Sequence, residues 1–200
     1  MMRMELPLIS RLRVISHTPV QDFMTLARRR ESCRRYADRP VEKEKLIALI
    51  EAARLSPSAC NSQPWSFWVV NSPSRSARVA KCLQDRRMNR FTDECPAFII
   101  VAEEPARLIS RIRDAVPSEQ VYAQVDIGLA AAHICLQAAD SGLATCIMGW
   151  FDPAALRLAA DIPEDKPIRL VIGVGYAAEG DPAEKVRKPL EAMLHYLDEE

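Results

Sequence analysis

Apolar positions along this chain repeat with two periods, and the points where one gives way to the other mark its elements. Over residues 41–55, Leu46, Ile50 and Ala53 fall on one stripe with Ile47 and Leu49 beside it, and Glu42, Lys43, Glu44 and Lys45 form a polar face. That 3.6-residue spacing predicts an amphipathic helix. Shorter helices are predicted over 22–30, where Phe23, Met24, Leu26 and Ala27 are apolar, and over 75–83, where Val79, Ala80 and Leu83 point inward after a Ser72-Pro73-Ser74 turn. Asp152 followed by Pro153 is an N-cap with proline at the first helical position, opening a helix to Ala160. A C-terminal helix is predicted over 189–197.

The longest predicted helix covers 119–141. Val121, Val125, Leu129, Ala132, Leu136 and Ala139 make one complete stripe, and Ile127, Ala131, Ile134 and Ala138 make a second. A helix apolar on nearly all sides is expected to be buried, in the core or against a second subunit, and its alanines allow close approach. Asp126, His133, Gln137 and Asp140 interrupt it, which argues against a membrane span. His133 is expected to be a hydrogen-bonded core residue, and Gly142 the C-cap.

Continuous apolar runs predict strands over 66–71, 96–103, 143–148 and 168–175. The first contains Phe67, Trp68, Val69 and Val70 and is expected to be a central strand, covered on both faces. Gly173-Val174-Gly175 is only a fragment of a dinucleotide fingerprint, because no helix with a third glycine opens after it. Residues 85–93 carry no clear pattern. Residues 104–118, with Arg107, Arg111 and Arg113, are expected to be a variable loop or helix serving as a lid over the substrate. These elements amount to an α+β fold of about four strands with helices on both faces.

Composition narrows the function. The 200 residues suffice for one domain with a sizeable core, and 27 basic residues balance 27 acidic ones. No net field advertises nucleic acid or an anionic membrane. Six cysteines occur, none in a Cys-x-x-Cys pair, and the three histidines are scattered, so a zinc site is not expected. Reduced thiols and a cytoplasmic location are expected. Residues 1–20 are too short and too charged for a secretory or membrane segment, and are expected to be an N-terminal extension that packs on a partner subunit, with 21–200 a single domain.

The candidate chemistry centres on residues 54–70. An amphipathic helix runs into them and a strand leaves them. Between lies Pro57-Ser58-Ala59-Cys60-Asn61-Ser62-Gln63-Pro64-Trp65, a polar loop stiffened by two prolines, which bias Ser56 and Gln63 away from helix. It suits either an ordinary connector or a grip on a polar ring or phosphate. Upstream stands a basic cluster of Arg28, Arg29, Arg30, Arg34 and Arg35. It reads as a solvated face or as a phosphate clamp, in which alternation would turn Arg30, Ser32 and Arg34 to one side of an extended segment.

The loop resembles the central motif of the nitroreductase family of FMN-dependent NAD(P)H oxidoreductases. Arg30-Glu31-Ser32-Cys33-Arg34-Arg35-Tyr36 is similar to that family's opening motif. Ala144-Thr145-Cys146-Ile147-Met148-Gly149-Trp150 and Lys185-Val186-Arg187-Lys188 echo its later ones, in the same order. The resemblance implies a nitroreductase-like fold, with a central, mostly antiparallel sheet, flanking helices and a long core or interface helix. It also implies a homodimer with FMN in a groove between subunits. Arg30, Ser32, Arg34, Met148, Gly149, Lys185 and Arg187 would come from one chain, with Met148 and Gly149 beside the isoalloxazine ring. Pro57, Ser58 and Ala59 would come from the other, with Asn61 supporting their loop, and Asn89 is the candidate for a flavin-contacting asparagine. The implied reaction carries hydride from NAD(P)H through FMN to a nitroaromatic, quinone or similar small aromatic acceptor by a ping-pong course. Such chemistry requires no catalytic side chain, since the cofactor supplies it. Met148 departs from the acidic residue found there in some members. Two rivals stand beside this reading: a non-catalytic FMN-binding protein of the same fold, and a thiol enzyme using Cys60, with Cys33 among the arginines.

Overall fold

A computed structural model describes residues 22–178 and 184–197. Four strands form one antiparallel sheet: β1 (Trp65–Val70), β2 (Ala97–Glu103), β3 (Ala144–Met148) and β4 (Ile168–Gly175), in the order β1-β2-β4-β3. Six helices flank it: α1 (Phe23–Arg29), α2 (Lys43–Arg54), α3 (Pro73–Leu83), α4 (Ser110–Arg113), α5 (Ala123–Asp140) and α6 (Pro153–Ala160). The α+β architecture predicted from the sequence is the one observed.

Alternation along the two central strands separates two core layers. Ala97, Ile99 and Val101 of β2, with Ile172 and Val174 of β4, pack against α2 and α5. Phe98, Ile100 and Val171 face α3 and α6 on the other side. All seven residues of β2 are buried, as burial on both faces requires. The strand β1 departs from expectation. It is an edge strand, not a central one, and Val69 is 43% exposed. Its apolar run reflects partial cover by helices rather than neighbours on both sides.

The helix starts follow their capping residues. Asp22 accepts from the Met24 amide, and Asp152 accepts from the amides of Ala154 and Ala155 at 3.0 Å. The first turn of the predicted 119–141 helix is a tighter 3₁₀ turn, Glu119–Tyr122. The unpatterned residues 85–93 fall in two 3₁₀ turns, Asp85–Arg87 and Arg90–Glu94. The predicted C-terminal helix is not formed. Only a single turn, Leu190–Ala192, occurs there, and Leu190, Met193, Leu194, Tyr196 and Leu197 are all more than half exposed. An apolar period without a surface to pack on does not hold a helix. Residues 1–20 lie outside the described residues.

Candidate active site

The opening basic segment is fixed by its inward residues. The Cys33 amide donates to the Thr145 carbonyl at 2.9 Å, and Ser32 bridges to Thr145 in parallel fashion, so the segment lies along the free edge of β3. Cys33 and Tyr36 are buried, whereas Ser32 and Arg34 are exposed. Ser32 and Arg34 thus turn outward on either side of Cys33, but strict alternation does not run along the segment, for Arg30 and Glu31 are both half-buried and Arg35 is exposed like Arg34. Tyr36 lies across β4 because glycine stands beneath it: a Cβ on Gly175 would come within 2.7 Å of Tyr36 Cδ1, and one on Gly173 within 3.2 Å of Tyr36 Oη. Gly173-Val174-Gly175 thus serves aromatic packing. Burial pushes the Tyr36 hydroxyl well above the usual phenol range.

Arg30 and Ser32 line a cleft of about 270 Å³ together with Thr145, Ile147, Ala132 and Leu136. Arg30 also borders an adjoining cleft of about 250 Å³ with Cys135 and Gly142. Among the described residues, neither Arg30 nor Arg34 takes part in an ion pair. Lys185 Nζ donates to the Arg28 carbonyl at 2.6 Å, which brings the closing basic run beside the opening one. Arg187 is exposed, with Nη1 on the neighbouring Val186 carbonyl. Arg30 and Ser32 therefore bring a guanidinium and a hydroxyl to one cleft, with Glu31 also on its lining and Lys185 nearby at Arg28, and the guanidinium and hydroxyl are donors suited to a phosphate.

From this region β3 runs back along α5. Thr145 and Ile147 of β3 line the cleft together with Ala132, Cys135 and Leu136 of α5, and β3 leads from there toward Gly149. The Met148 side chain is buried in the core, so only its backbone can face a ligand. Gly149 is exposed, and a Cβ there would meet nothing within 4 Å, leaving room for a flat group against the backbone. Asn89 is left-handed at φ 48° and donates from Nδ2 to the carbonyls of Leu83 and Trp150, each at 3.2 Å. Its donors fix the loop beyond Gly149.

The proline-bounded loop occupies the other end of α5. Cys60, Asn61 and Gln63 all adopt left-handed φ near +52°. Such backbone persists only when its surroundings hold it. The Ser58 hydroxyl accepts from the Gln63 amide at 2.9 Å, and Asn61 accepts from Gln63 Nε2. Both acceptors of Asn61, its carbonyl and Oδ1, lie 3.3 Å from Gln63 Nε2 within the loop. Ser62 Oγ accepts from the Arg107 amide, which ties the 104–118 segment to the loop. Sequence reasoning missed the central anchor. The Asp126 carboxylate, 5% exposed, accepts from the Ala59 amide at 3.1 and 3.2 Å. Its signal was an acid in the first turn of an otherwise apolar helix, where the dipole favours negative charge. Pro57 is exposed, and Ser58 and Ala59 are half-buried.

In one chain these two regions stand apart. The loop is pinned at Asp126, while the basic cleft reaches Cys135, nine residues and about 14 Å further along α5. The stripe between them is uncovered: Val125 is 63% exposed and Leu129 is 40% exposed. His133 is half-buried on that side rather than in the core, and its Nδ1 lies 2.9 Å from the Leu129 carbonyl.

Of the two cysteines near the site, Cys60 is exposed and Cys33 is buried. Burial pushes the Cys33 thiol up despite the Arg35 guanidinium nearby. Among the described residues no cluster of His, Cys, Asp and Glu could hold a metal ion, and no helix is long and apolar enough to cross a membrane.

Comparison with known proteins agrees with the geometry. The model of the nitroreductase family matches residues 27–88 and 76–176. An NADH dehydrogenase of Thermus thermophilus is 29% identical, over 88% of this chain and 96% of its own. An iodotyrosine dehalogenase 1 homolog of Caenorhabditis elegans is 27% identical, over 80% of this chain and 56% of its own. The solved structure of an FMN-dependent nitroreductase from Clostridium difficile superposes with a TM-score of 0.69 at 24% identity, over 86% of this chain and 98% of that one. The motifs, the four-stranded sheet and the family model converge: this chain belongs to the nitroreductase family and is an oxidoreductase.

Proposed function

We propose that the protein is an FMN-dependent homodimer that takes hydride from NAD(P)H and passes it to a small aromatic acceptor, such as a nitroaromatic or quinone, in ping-pong fashion. One observation supports the reading: two half-sites at opposite ends of α5, joined by an apolar stripe that is exposed among the described residues. A second copy laid on that stripe would bring the Ser58–Ala59 loop of one subunit toward the Arg30 cleft of the other.

The residues present fit FMN. Arg30, Ser32 and Arg34 would hold the phosphate and ribityl hydroxyls, since two-point guanidinium contacts match phosphate oxygens. Gly149 would let the ring approach the backbone of β3's end, and Pro57, Ser58 and Ala59 of the other subunit would cover it. Lys185 and Arg187 would place positive charge near the pyrimidine edge, favouring anionic character there. Bound FMN supplies the two-electron chemistry at N5. The protein's own share is binding, orientation and exclusion of water.

The test is native mass and flavin content measured together. The expected result is a particle of twice the 22.5 kDa chain mass, carrying one FMN per chain and bleaching anaerobically with NADH or NADPH. A colourless monomer that cannot be reconstituted would overturn the proposal. A yellow dimer that neither donor bleaches would leave the fold's cofactor and remove the catalysis.

A further inference from the structure

Beside Gly149 lies a group of side chains that FMN binding does not use. The loop from Asp85 to Arg90 carries three arginines, Arg86, Arg87 and Arg90, against one aspartate. All three guanidinium groups are exposed, and none enters an ion pair among the described residues. With no net charge on the whole chain, this patch is a local field rather than part of a general one.

The loop is held in place, not merely present. Arg86, Arg87 and Asn89 adopt left-handed φ of 50°, 65° and 48° without a glycine. Two bonds to one residue retain that shape. Trp150 Nε1 donates to the Asp85 carbonyl, and Asn89 Nδ2 donates to the Trp150 carbonyl, each at 3.2 Å. The Arg86 guanidinium stands 5.4 Å from the centroid of the Trp150 ring, which is itself 42% exposed. A large aromatic surface and unpaired cations are thus fixed one residue beyond the glycine that would face the flavin.

We infer that Arg86 and Arg87, with Trp150, form a specificity element for anionic aromatic ligands. The ring offers a stacking face, and the arginines offer charge to a carboxylate or phosphate carried by the ligand. The inference rests on the placement of FMN at Gly149. The anionic group has two sources, an acidic acceptor or the 2′-phosphate that distinguishes NADPH from NADH.

The experiment uses the FMN-loaded protein and its Arg86→Gln/Arg87→Gln variant, with flavin content measured first. In one arm NADH is the donor, and 4-nitrobenzoate is compared with neutral 4-nitrobenzyl alcohol, by steady-state kinetics and by calorimetric titration onto the oxidised protein. In the other, NADPH is compared with NADH in the reductive half-reaction. A three- to tenfold rise in KM and Kd for 4-nitrobenzoate (about the range for exposed charge pairs acting together), suppressed by 0.5 M salt (about a Debye length of 4 Å), assigns the element to the acceptor. A like loss confined to NADPH assigns it to the donor. Arg86→Glu should deepen whichever loss is seen while neutral 4-nitrobenzyl alcohol turns over as before, an outcome that misfolding cannot mimic. Discrimination unchanged in both arms, in protein that retains FMN, overturns this inference alone. Wild-type protein that takes up no FMN overturns the reading beneath it.

Discussion

The two faces of α5 have nearly the same composition and opposite fates. Ile127, Ala130, Ala131, Ile134 and Ala138 are sealed against α2 and the sheet, none more than 2% exposed. Val125 and Leu129, about half a turn round, are 40% exposed or more. Composition alone reports that a helix is apolar on both sides. Only the packing shows that one side is satisfied within the chain and that the other is left exposed among the described residues. Exposed apolar residues grouped on one face mark a candidate interaction site, and this is the face on which the proposed second subunit would lie.

Substitutions on the two faces should separate stability from assembly. Ile134→Ala removes a fully buried side chain and should cost about 2–5 kcal/mol of unfolding free energy in urea. A loss below about 1 kcal/mol would show that the inner face is not the packed one. Leu129→Arg should leave that unfolding energy nearly intact while abolishing the dimer, because a charge buried at an interface core costs about 2 kcal/mol or more. Sedimentation checks it: a dimer that survives Leu129→Arg places the subunit contact elsewhere.

Next come the half-sites at the ends of the helix. Arg30→Ala and Arg34→Ala should each weaken FMN binding by about 1.5–3 kcal/mol, the range of a charge-assisted hydrogen bond. Equilibrium titration of the apoprotein reads this directly, and unchanged affinity in both variants would show the clamp to be misassigned. Asp126→Ala leaves the Ala59 amide without its carboxylate and should cost about 1–3 kcal/mol. If the loop is a wall of the flavin site, FMN dissociation should also quicken. A stability loss with an unaltered off-rate would separate the loop from the cofactor.

How much of this could be read from the sequence depended on whether the cause was local. The strands β2 and β4 were legible because a continuous apolar run needs no context to demand burial. The position of β1 was not, since strand order is set by partners far along the chain: Trp65 pairs with Glu103 and Val70 with Phe98. The outward turn of Ser32 and Arg34 about the buried Cys33 was legible from the pleat. The anchoring of that segment by Tyr36 was not, because it depends on glycines 137 residues and more away that clear a space for the ring. Asp126 registered only as a polar break, for nothing in its neighbourhood reveals an amide 67 residues distant. The left-handed turns at residues 86–89 were hidden because they lack the glycine that normally announces them.

The smallest predicted effect concerns how the inner face of α5 is clamped. Lys45 of α2 donates from Nζ to the Ser141 carbonyl at the end of α5 and to Tyr176 Oη, at 3.1 and 2.9 Å. Tyr176 in turn donates to the Glu42 carboxylate. That hydrogen bond, with help from Arg39, holds the Glu42 carboxyl down to about 2 from an ordinary 4.5. A carboxyl depressed in the folded state stabilises it fully above the unfolded value, and the contribution disappears as pH falls through the folded one. Tyr176→Phe should therefore melt below wild type by a constant margin above pH 4.5, and the margin should narrow between pH 4.5 and about 2. Glu42 is partly exposed, so the margin should be small and should shrink with salt. Melting curves of both proteins across that window are the measurement. A margin that stays constant down to pH 2.5 would mean Tyr176 acts through its ring, stacked 3.7 Å from the Arg39 guanidinium, and not through the proton it gives to Glu42.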